Sequence, residues 1–162
     1  MPATPDELFR RLAELGITTA THHHPPLRTV AESKRLRGAL PGGHAKNLYL
    51  RDHKKRNWLV VTLEDREIEL KRLAEAIGSG RLSFGRPERL WQYLGVEPGA
   101  VTPFALINDP EGEVAVVLDQ ALLALSPLNF HPLDNAMTTQ ISAEELVAFI
   151  RSTGHEPLIT AL

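Results

Sequence analysis

Apolar residues recur along this chain at two spacings, one helical and one alternating, and turn residues separate the runs. Leu8, Leu12 and Leu15 follow Thr4-Pro5-Asp6-Glu7 and precede Gly16. A threonine cap, a first-turn proline and a glutamate three residues past the cap predict an amphipathic helix that stops at Gly16. Ile17 to His22 predicts a short strand, interrupted by Pro25 and Pro26, and Thr29 with Glu32 predicts the cap of a short basic helix ending at Gly38. Ala45 to Arg51 alternates, with Leu48 and Leu50 sharing a buried face, while Trp58 to Leu63 is almost continuously apolar. The polar turn from His53 to Asn57 joins them as an antiparallel hairpin, expected at the centre of the sheet.

Ile68, Leu73, Ala76 and Ile77 form a helical stripe ending at Gly78, and Pro87 with Leu90, Trp91 and Leu94 forms another ending at Gly95. Both are expected to cover the sheet. Phe104 to Asn108 and Glu113 to Leu118 bracket the turn Asp109-Pro110-Glu111-Gly112, which predicts a second hairpin. Short strands are expected at Leu128 to His131 and Met137 to Ile141, then a last helix capped by Ser142 and Glu145, carrying Leu146, Phe149 and Ile150 before Gly154. Hairpins outnumber strand–helix–strand units. The pattern therefore predicts an α+β fold, one domain over residues 1–162 with a curved, mostly antiparallel sheet and helices around it.

Composition narrows the function classes. A chain of 162 residues that is 43% hydrophobic suffices for one substantial core. There is no cysteine, which removes disulfides, thiolate nucleophiles and cysteine zinc sites together. No apolar run approaches the roughly 18 residues that span a bilayer, and the start MPATPDELFRRL carries no signal-peptide stretch, so a cytoplasmic location away from membranes is expected. The net charge of -2 hides a polarity: residues 1–90 hold 17 of the 18 Lys and Arg and carry +6, and the remainder carries -8. Such asymmetry points to a polyanionic partner. The candidate basic surface comprises Lys34, Arg35 and Arg37, then Arg51, Lys54, Lys55 and Arg56, and further on Lys71, Arg72, Arg81, Arg86 and Arg89.

Three segments carry candidate chemistry. In Gly42-Gly43-His44-Ala45-Lys46-Asn47-Leu48 a glycine turn runs into a strand and sets Lys46 and Asn47 at its mouth, an arrangement suited to gripping a charged ligand. A surface lysine before a hairpin strand is the plainer alternative. Gly95-Val96-Glu97-Pro98-Gly99-Ala100-Val101 offers a Pro-Gly turn whose backbone N–H groups suit a developing negative charge, although an ordinary helix-to-strand loop has the same residues. Asn129-Phe130-His131-Pro132 places a histidine beside a proline-fixed bend. The triplet His22-His23-His24 invites a metal reading, but consecutive strand histidines face opposite ways and no HExxH pattern accompanies them, so no metal or other cofactor is expected. A GxSxG elbow and a GxxxxGK[ST] loop are both absent from the sequence.

Taken together, HPPLRTVAES from His24, LPGGHAKNLYLRD from Leu40, GVEPGAVTPFALIND from Gly95 and NFHPLDNAMTTQIS from Asn129 resemble the YbaK/PrdX-like family of prolyl-tRNA editing domains. The similarity runs from about His22 to the last helix and is greatest to the free-standing branch that deacylates alanyl-tRNA(Pro). The resemblance implies a YbaK-like, barrel-like mixed sheet and metal-independent hydrolysis of a wrong amino acid from tRNA. It puts Lys46 and Asn47 on the family's Lys-Asn pair, Gly95, Pro98 and Gly99 on its glycine-proline loop, and His131 on its pocket histidine. Ser33 stands where alanine is expected and Ala136 where threonine is common, departures that bear on substrate choice.

The expected chemistry follows from the substrate. An aminoacyl ester is activated enough for a positioned water to cleave it without a covalent intermediate, which accounts for the missing nucleophile. Lys46, Asn47, Gly99 and His131 are the expected catalytic residues, with Gly95, Pro98, Val101, Asn129 and Phe130 expected to bind substrate. Lys34, Arg35, Arg51, Lys54 and Lys55 are expected to contact tRNA phosphates. The expected partner is the tRNA(Pro) acceptor end carrying a non-cognate residue, with prolyl-tRNA synthetase as a further possibility and a monomer or weak homodimer as the state. Activity on Cys- or Ser-tRNA, and a non-catalytic tRNA- or synthetase-binding module, are the alternatives.

Overall fold

The computed structural model describes residues 1–26 and 30–162, and between 30 and 38 the backbone but not every side chain. Helix α1 (Pro5–Glu14) begins as expected, with the Thr4 hydroxyl accepting from the Glu7 N–H at 3.2 Å, and it buries Leu8 and Leu12. Leu15 is exposed and caps the helix end. Strand β1 spans Ala20–His23 instead of Ile17 to His22, because the residues before it serve helix ends: Ile17 N–H donates to the Leu12 carbonyl and Thr18 N–H to Glu145. Helix α2 (Val30–Ala39) runs one residue past Gly38, and its expected cap Thr29 lies outside the described residues.

Strands β2 (Gly43–Asp52) and β3 (Asn57–Leu63) form the expected hairpin, pairing from Ala45↔Leu63 to Arg51↔Asn57. Helix α3 (Leu70–Ile77) buries Leu73 and Ile77 and stops at Gly78; Ala76 faces solvent, and Ala74 takes the packing position. A three-residue strand β4 (Leu82–Phe84) pairs with the end of β2. Helix α4 (Pro87–Leu94) buries Leu90 and Leu94 but leaves Trp91 53% exposed.

The second hairpin does not form. Pro103–Asn108 is a 3₁₀ helix capped by the Thr102 hydroxyl, and Pro103, Phe104, Ala105 and Leu106 are all buried. A segment buried on every side has neither strand nor helix periodicity in its sequence, which is why the run reads equally well as a strand. Strand β5 (Val114–Asp119) finds its partners at a distance, pairing in parallel with β3 and with β8 (Leu158–Thr160). The short helix α5 (Gln120–Leu123) leads to strands β6 (Leu128–Phe130) and β7 (Met137–Ile141), and α6 (Ala143–Ser152) carries the chain to β8.

The eight-stranded sheet has the order β1-β7-β6-β2-β3-β5-β8, with β4 also on β2. Four strand pairs are antiparallel and three parallel. The α+β class therefore stands, with a mixed sheet. One face carries the larger core, in which Phe104 meets Phe130 and Phe149 edge-on at 6.1 and 5.4 Å, beside Tyr49, Val61 and Leu128. The other face packs Leu50, Trp58, Val60 and Val117 against Leu73 and Ile77 of α3.

Candidate functional site: a gap along the central strand

Strand β2 is paired along its whole hairpin edge by β3, but on its other edge the pairing is broken. There β6 pairs only Gly43 and His44, and β4 pairs only Leu50 to Asp52. Among the described residues, no strand pairs Ala45 to Leu48 on that edge. Close approach at the start of the gap depends on two glycines. Gly42 has φ +101°, and a Cβ there would fall 2.2 Å from the Pro127 carbonyl oxygen; a Cβ on Gly43 would meet Leu125 and Leu128 at 2.9 Å.

Beyond the two-residue parallel ladder the strands part; continuing its register, Ala45 and Lys46 on β2 stand across the fork from Phe130 and His131. Alternation along the strands sorts these side chains. Leu128 and Phe130 belong to the larger core, as do Tyr49 and, packed against it, Ala45. Asn47 shares that face, and its buried Oδ1 has no hydrogen-bond partner. Leu48 and Leu50 are on the other side. His44, Lys46, Asn129 and His131 therefore share the polar face, and the Lys-Asn pair is split across the sheet instead of standing together at the mouth of the strand.

The polar face is held by backbone carbonyls. The segment after α2 lies over it: the Leu40 carbonyl meets His44 Nε2 at 3.0 Å, and the Pro41 carbonyl accepts from Asn129 Nδ2 and Gln140 Nε2, each at 3.1 Å. Asn129 Nδ2 also donates to the Gly43 carbonyl, while its Oδ1 is buried without a donor. His131 Nδ1 donates to the Met137 carbonyl at 2.7 Å. A carbonyl only accepts, so the ring proton sits on Nδ1 and Nε2 is the free acceptor. Burial pushes the His131 pKa down, and the nearby His24 adds to this, so the ring is neutral at physiological pH. Lys46 is half-buried, stands opposite the buried Thr62, and has no carboxylate within ion-pair distance among the described residues.

The proline-glycine loop approaches the connection between β6 and β7. Gly99 has φ +92°, its Cβ position lies 3.7 Å from Asn135 Nδ2 in the β6–β7 connection, and Pro98 and Gly99 are exposed. Val101 packs on the larger core. Gly95 sits apart from the loop tip as the left-handed cap of α4, where its N–H donates to the Trp91 carbonyl.

The basic residues are dispersed. Lys34 and Arg35 are exposed on α2. Arg51 is half-buried, donates to Asn57 and lies 6.0 Å over the Tyr93 ring. Lys54 and Lys55 are exposed on the hairpin turn, roughly 20 Å or more from Lys46 at about 3.3 Å per strand residue. His24 and Thr138 also meet beside His131, with the Thr138 hydroxyl 2.9 Å from His24 Nε2 and the His24 and His131 rings 6.1 Å apart; sequence reasoning did not bring them together, their only sequence signal being period-two spacing, His24 with His22 and Thr138 with Gln140. The described residues bring no three of His, Asp and Glu into a metal-holding group, and none of their helices is long and apolar enough to cross a membrane. Elsewhere, buried Thr153, His155 and Asp109 form a hydroxyl–imidazole–carboxylate chain, but the Thr153 hydroxyl donates to the Ile150 carbonyl at 2.6 Å and the carboxylate accepts two backbone N–H groups, so the chain braces the end of α6.

The described residues thus form a mixed α/β sheet with a lysine, a histidine and buried amides at a gap in its central strand. The family-level comparison is decisive: residues 24–149 match the aminoacyl-tRNA editing domain model, and the chain belongs to that family, the YbaK/PrdX-like editing domains. It is 42% identical over 157 residues to the prolyl-tRNA synthetase associated domain-containing protein 1 of Bos taurus, covering 94% of this chain and 91% of the relative. It is 39% identical over 149 residues to the prolyl-tRNA editing protein ProX of Acetoanaerobium sticklandii, with 91% of each covered. A solved structure described as a candidate trans-editing enzyme for prolyl tRNA synthetase superposes with a TM-score of 0.68 at 18% identity over 98% of both chains, a likeness of fold.

Proposed function

We propose that this protein is a trans-acting deacylase that hydrolyses the ester of mischarged Ala-tRNA(Pro). The observation that carries the reading is the fork between β2 and β6, where Lys46 shares a face with Asn129 and His131 beside a β2 edge that no strand among the described residues pairs. The terminal aminoacyl-adenosine enters this fork. The Lys46 ammonium neutralises the terminal phosphate or the developing oxyanion, and backbone N–H groups near Gly99 share that charge. Asn47 and Asn129 position the aminoacyl group, and Val101 and Phe130 supply apolar walls; Gly95 and Pro98 shape the loop that brings Gly99 in. His131 orients a hydroxyl or the attacking water.

Water oxygen bonds to the ester carbonyl carbon, the tetrahedral intermediate collapses, and the bond to the ribose oxygen breaks as that oxygen takes a proton. The products are free alanine and tRNA. No metal enters the reaction. Alanine is smaller than proline, so a synthetase pocket built for proline cannot exclude it by size, and a second, smaller sieve removes the error. Lys34, Arg35, Arg51, Lys54 and Lys55 contact the tRNA phosphates, with docking on prolyl-tRNA synthetase as a further partner contact.

The test is hydrolysis of Ala-tRNA(Pro) compared with Pro-tRNA(Pro), Cys-tRNA(Pro) and Ser-tRNA by purified protein, with exhaustive chelation and the Lys46→Ala variant as controls. Selective loss of alanine that survives chelation and depends on Lys46 is expected. Cleavage of the cysteinyl or seryl ester instead would keep the deacylase and change its substrate. Absence of any cleavage would turn the assignment to a tRNA-binding module.

A further inference from the structure

Helix α1 carries two stripes. Leu8 and Leu12 face the larger core, while Glu7, Arg10, Arg11 and Glu14, spaced three and four apart, form a second flank of the same helix. That flank lines a surface cleft of about 700 Å³, a volume in the range of small-molecule sites, and Trp91 of α4 lines it too. Glutamate and arginine four apart on a helix ordinarily pair with each other, yet among the described residues neither Arg10 nor Arg11 forms an ion pair with a carboxylate. Both guanidiniums are open to an anion. Leu90 and Leu94 supply what α4 buries, so Trp91, 53% exposed, is spared from the core and keeps its indole at the cleft. The floor is preformed: Asn108, which also lines the cleft, accepts from the Ala3 N–H at 2.8 Å and donates to the Leu94 carbonyl at 2.9 Å. Gly95 closes it with φ +62°, where a Cβ would fall 2.8 Å from Asn108 Nδ2 and 2.9 Å from Pro2.

We infer that this cleft binds a nucleoside phosphate, with the base stacked on the Trp91 indole and the phosphate held by Arg10 and Arg11. An aromatic ring stacks on any base, and a guanidinium meets a phosphate with two parallel N–H donors. Glu7 and Glu14, one helical turn from the arginines, accept from sugar hydroxyls or base amino groups, and they repel a bare anion that brings no donor. The ligand is therefore a nucleotide unit and not phosphate alone. The cleft is separate from the fork, because α1 and α4 pack on the larger core while Lys46 and His131 lie on the other face of the sheet. The inference stands independently of the deacylase reading. Its chemistry has two sources, a free mononucleotide and an unpaired nucleotide of an RNA strand.

The experiment uses the full chain, whose two tryptophans give two indole ¹H–¹⁵N resonances, that of Trp58 being buried and bonded to Asp52. The probes are AMP, adenosine, inorganic phosphate and a 5′-phosphorylated hexaadenylate RNA. AMP is expected to shift the Trp91 resonance saturably and to leave that of Trp58 in place. Adenosine should bind roughly tenfold more weakly, the size of effect that follows from losing charge-assisted hydrogen bonds, and phosphate alone should leave Trp91 unshifted. Replacing Arg10 and Arg11 together by glutamine should weaken AMP roughly tenfold and leave adenosine unchanged, which separates a lost phosphate contact from a lost fold. AMP also resembles the tRNA end that the fork takes, so Lys46→Ala serves as the control and should keep the Trp91 shift. Tighter binding of the RNA than of AMP assigns the cleft to an RNA nucleotide, and the reverse order to a free mononucleotide; each supports the inference. A Trp91 resonance that neither AMP nor the RNA moves at millimolar concentration would overturn it, as would an equal response to phosphate alone or an undiminished AMP affinity in the arginine variant. Trp91→Ala should leave hydrolysis of a small aminoacyl ester unchanged, so failure here and failure of the deacylase reading are told apart.

Discussion

His131 donates its Nδ1 proton to the Met137 carbonyl at 2.7 Å, an arrangement that decides both the tautomer of the ring and the atom it offers to a ligand. Burial lowers the His131 pKa from its ordinary 6.5. The neutral ring is thus the form favoured at neutral pH. Ester cleavage is expected to hold steady through neutral pH and to fall only on the acid side of 6.5, and His131→Gln should lose both activity and that acid limb. The same shift has a stability consequence. The unfolded chain binds the proton more readily, so stability rises with pH across the window from the lowered folded value up to 6.5, and it is lost as pH falls through that window. A pH–rate profile beside urea midpoints at several pH values checks both limbs.

Gly42→Ala should be severe and Gly78→Ala mild, although both glycines have positive φ, +101° and +71° respectively. A Cβ at Gly42 meets the Pro127 carbonyl oxygen at 2.2 Å, whereas nothing lies within 4 Å of one at Gly78. The Gly78 variant is expected to lose about 1 kcal/mol from backbone strain and the Gly42 variant about 3 kcal/mol or more. The Gly42 variant should also lose ester cleavage, because the adjacent Pro41 carbonyl anchors Asn129 and Gln140. Chemical denaturation of the two variants isolates the clash.

Asp52 holds the hairpin turn. Burial pushes its carboxyl up, but hydrogen bonds from the Arg56 N–H, the Trp58 indole, the Gly80 N–H and the Arg56 guanidinium outweigh that and hold the pKa at about 2. A depressed carboxyl stabilises the fold above its unfolded value, 3.8, and that contribution disappears as pH falls toward about 2. Asp52→Asn is expected to cost about 2 kcal/mol at neutral pH. Its effect on ester cleavage should be small, since the turn is roughly 20 Å from Lys46. Thermal unfolding at pH 7 and pH 2.5 tests this, with the two proteins converging at the lower pH.

Replacing Lys54 and Lys55 together by alanine should lower affinity for full-length tRNA and reduce the slope of log affinity against log salt by about 1 to 2, the loss of one or two phosphate contacts. Cleavage of a minimal aminoacyl-adenosine ester should be unaffected. Filter binding at four salt concentrations checks the first statement and a hydrolysis assay on the small ester the second. A parallel loss of both would place the turn in the reaction site.

The central hairpin, the capped helices α1 and α6 and the lysine-bearing glycine turn were all legible in the sequence, because each rests on local rules of capping, alternation and turn geometry. Phe104 to Asn108 was not, since a segment buried on all sides carries no periodicity to read. Strands β4 and β8 were missed for a related reason: three residues each, they are strands only because β2 and β5 lie alongside. His24, read first as part of a metal-like triplet, gained its place only when β1 paired with β7 and set it beside Thr138.

The sequence by itself determined the α+β class and the family, and it singled out Lys46, Asn129 and His131 as candidates because their motifs are local. Only the tertiary structure decided that β6 leaves β2 after two residues and that Lys46 and Asn47 face opposite ways. It also decided that the amide and imidazole hydrogens beside Lys46 are consumed by backbone carbonyls. Those facts depend on which distant strands share an edge, and a strand's partners are chosen by burial of the whole sheet, a balance that no window of the sequence contains.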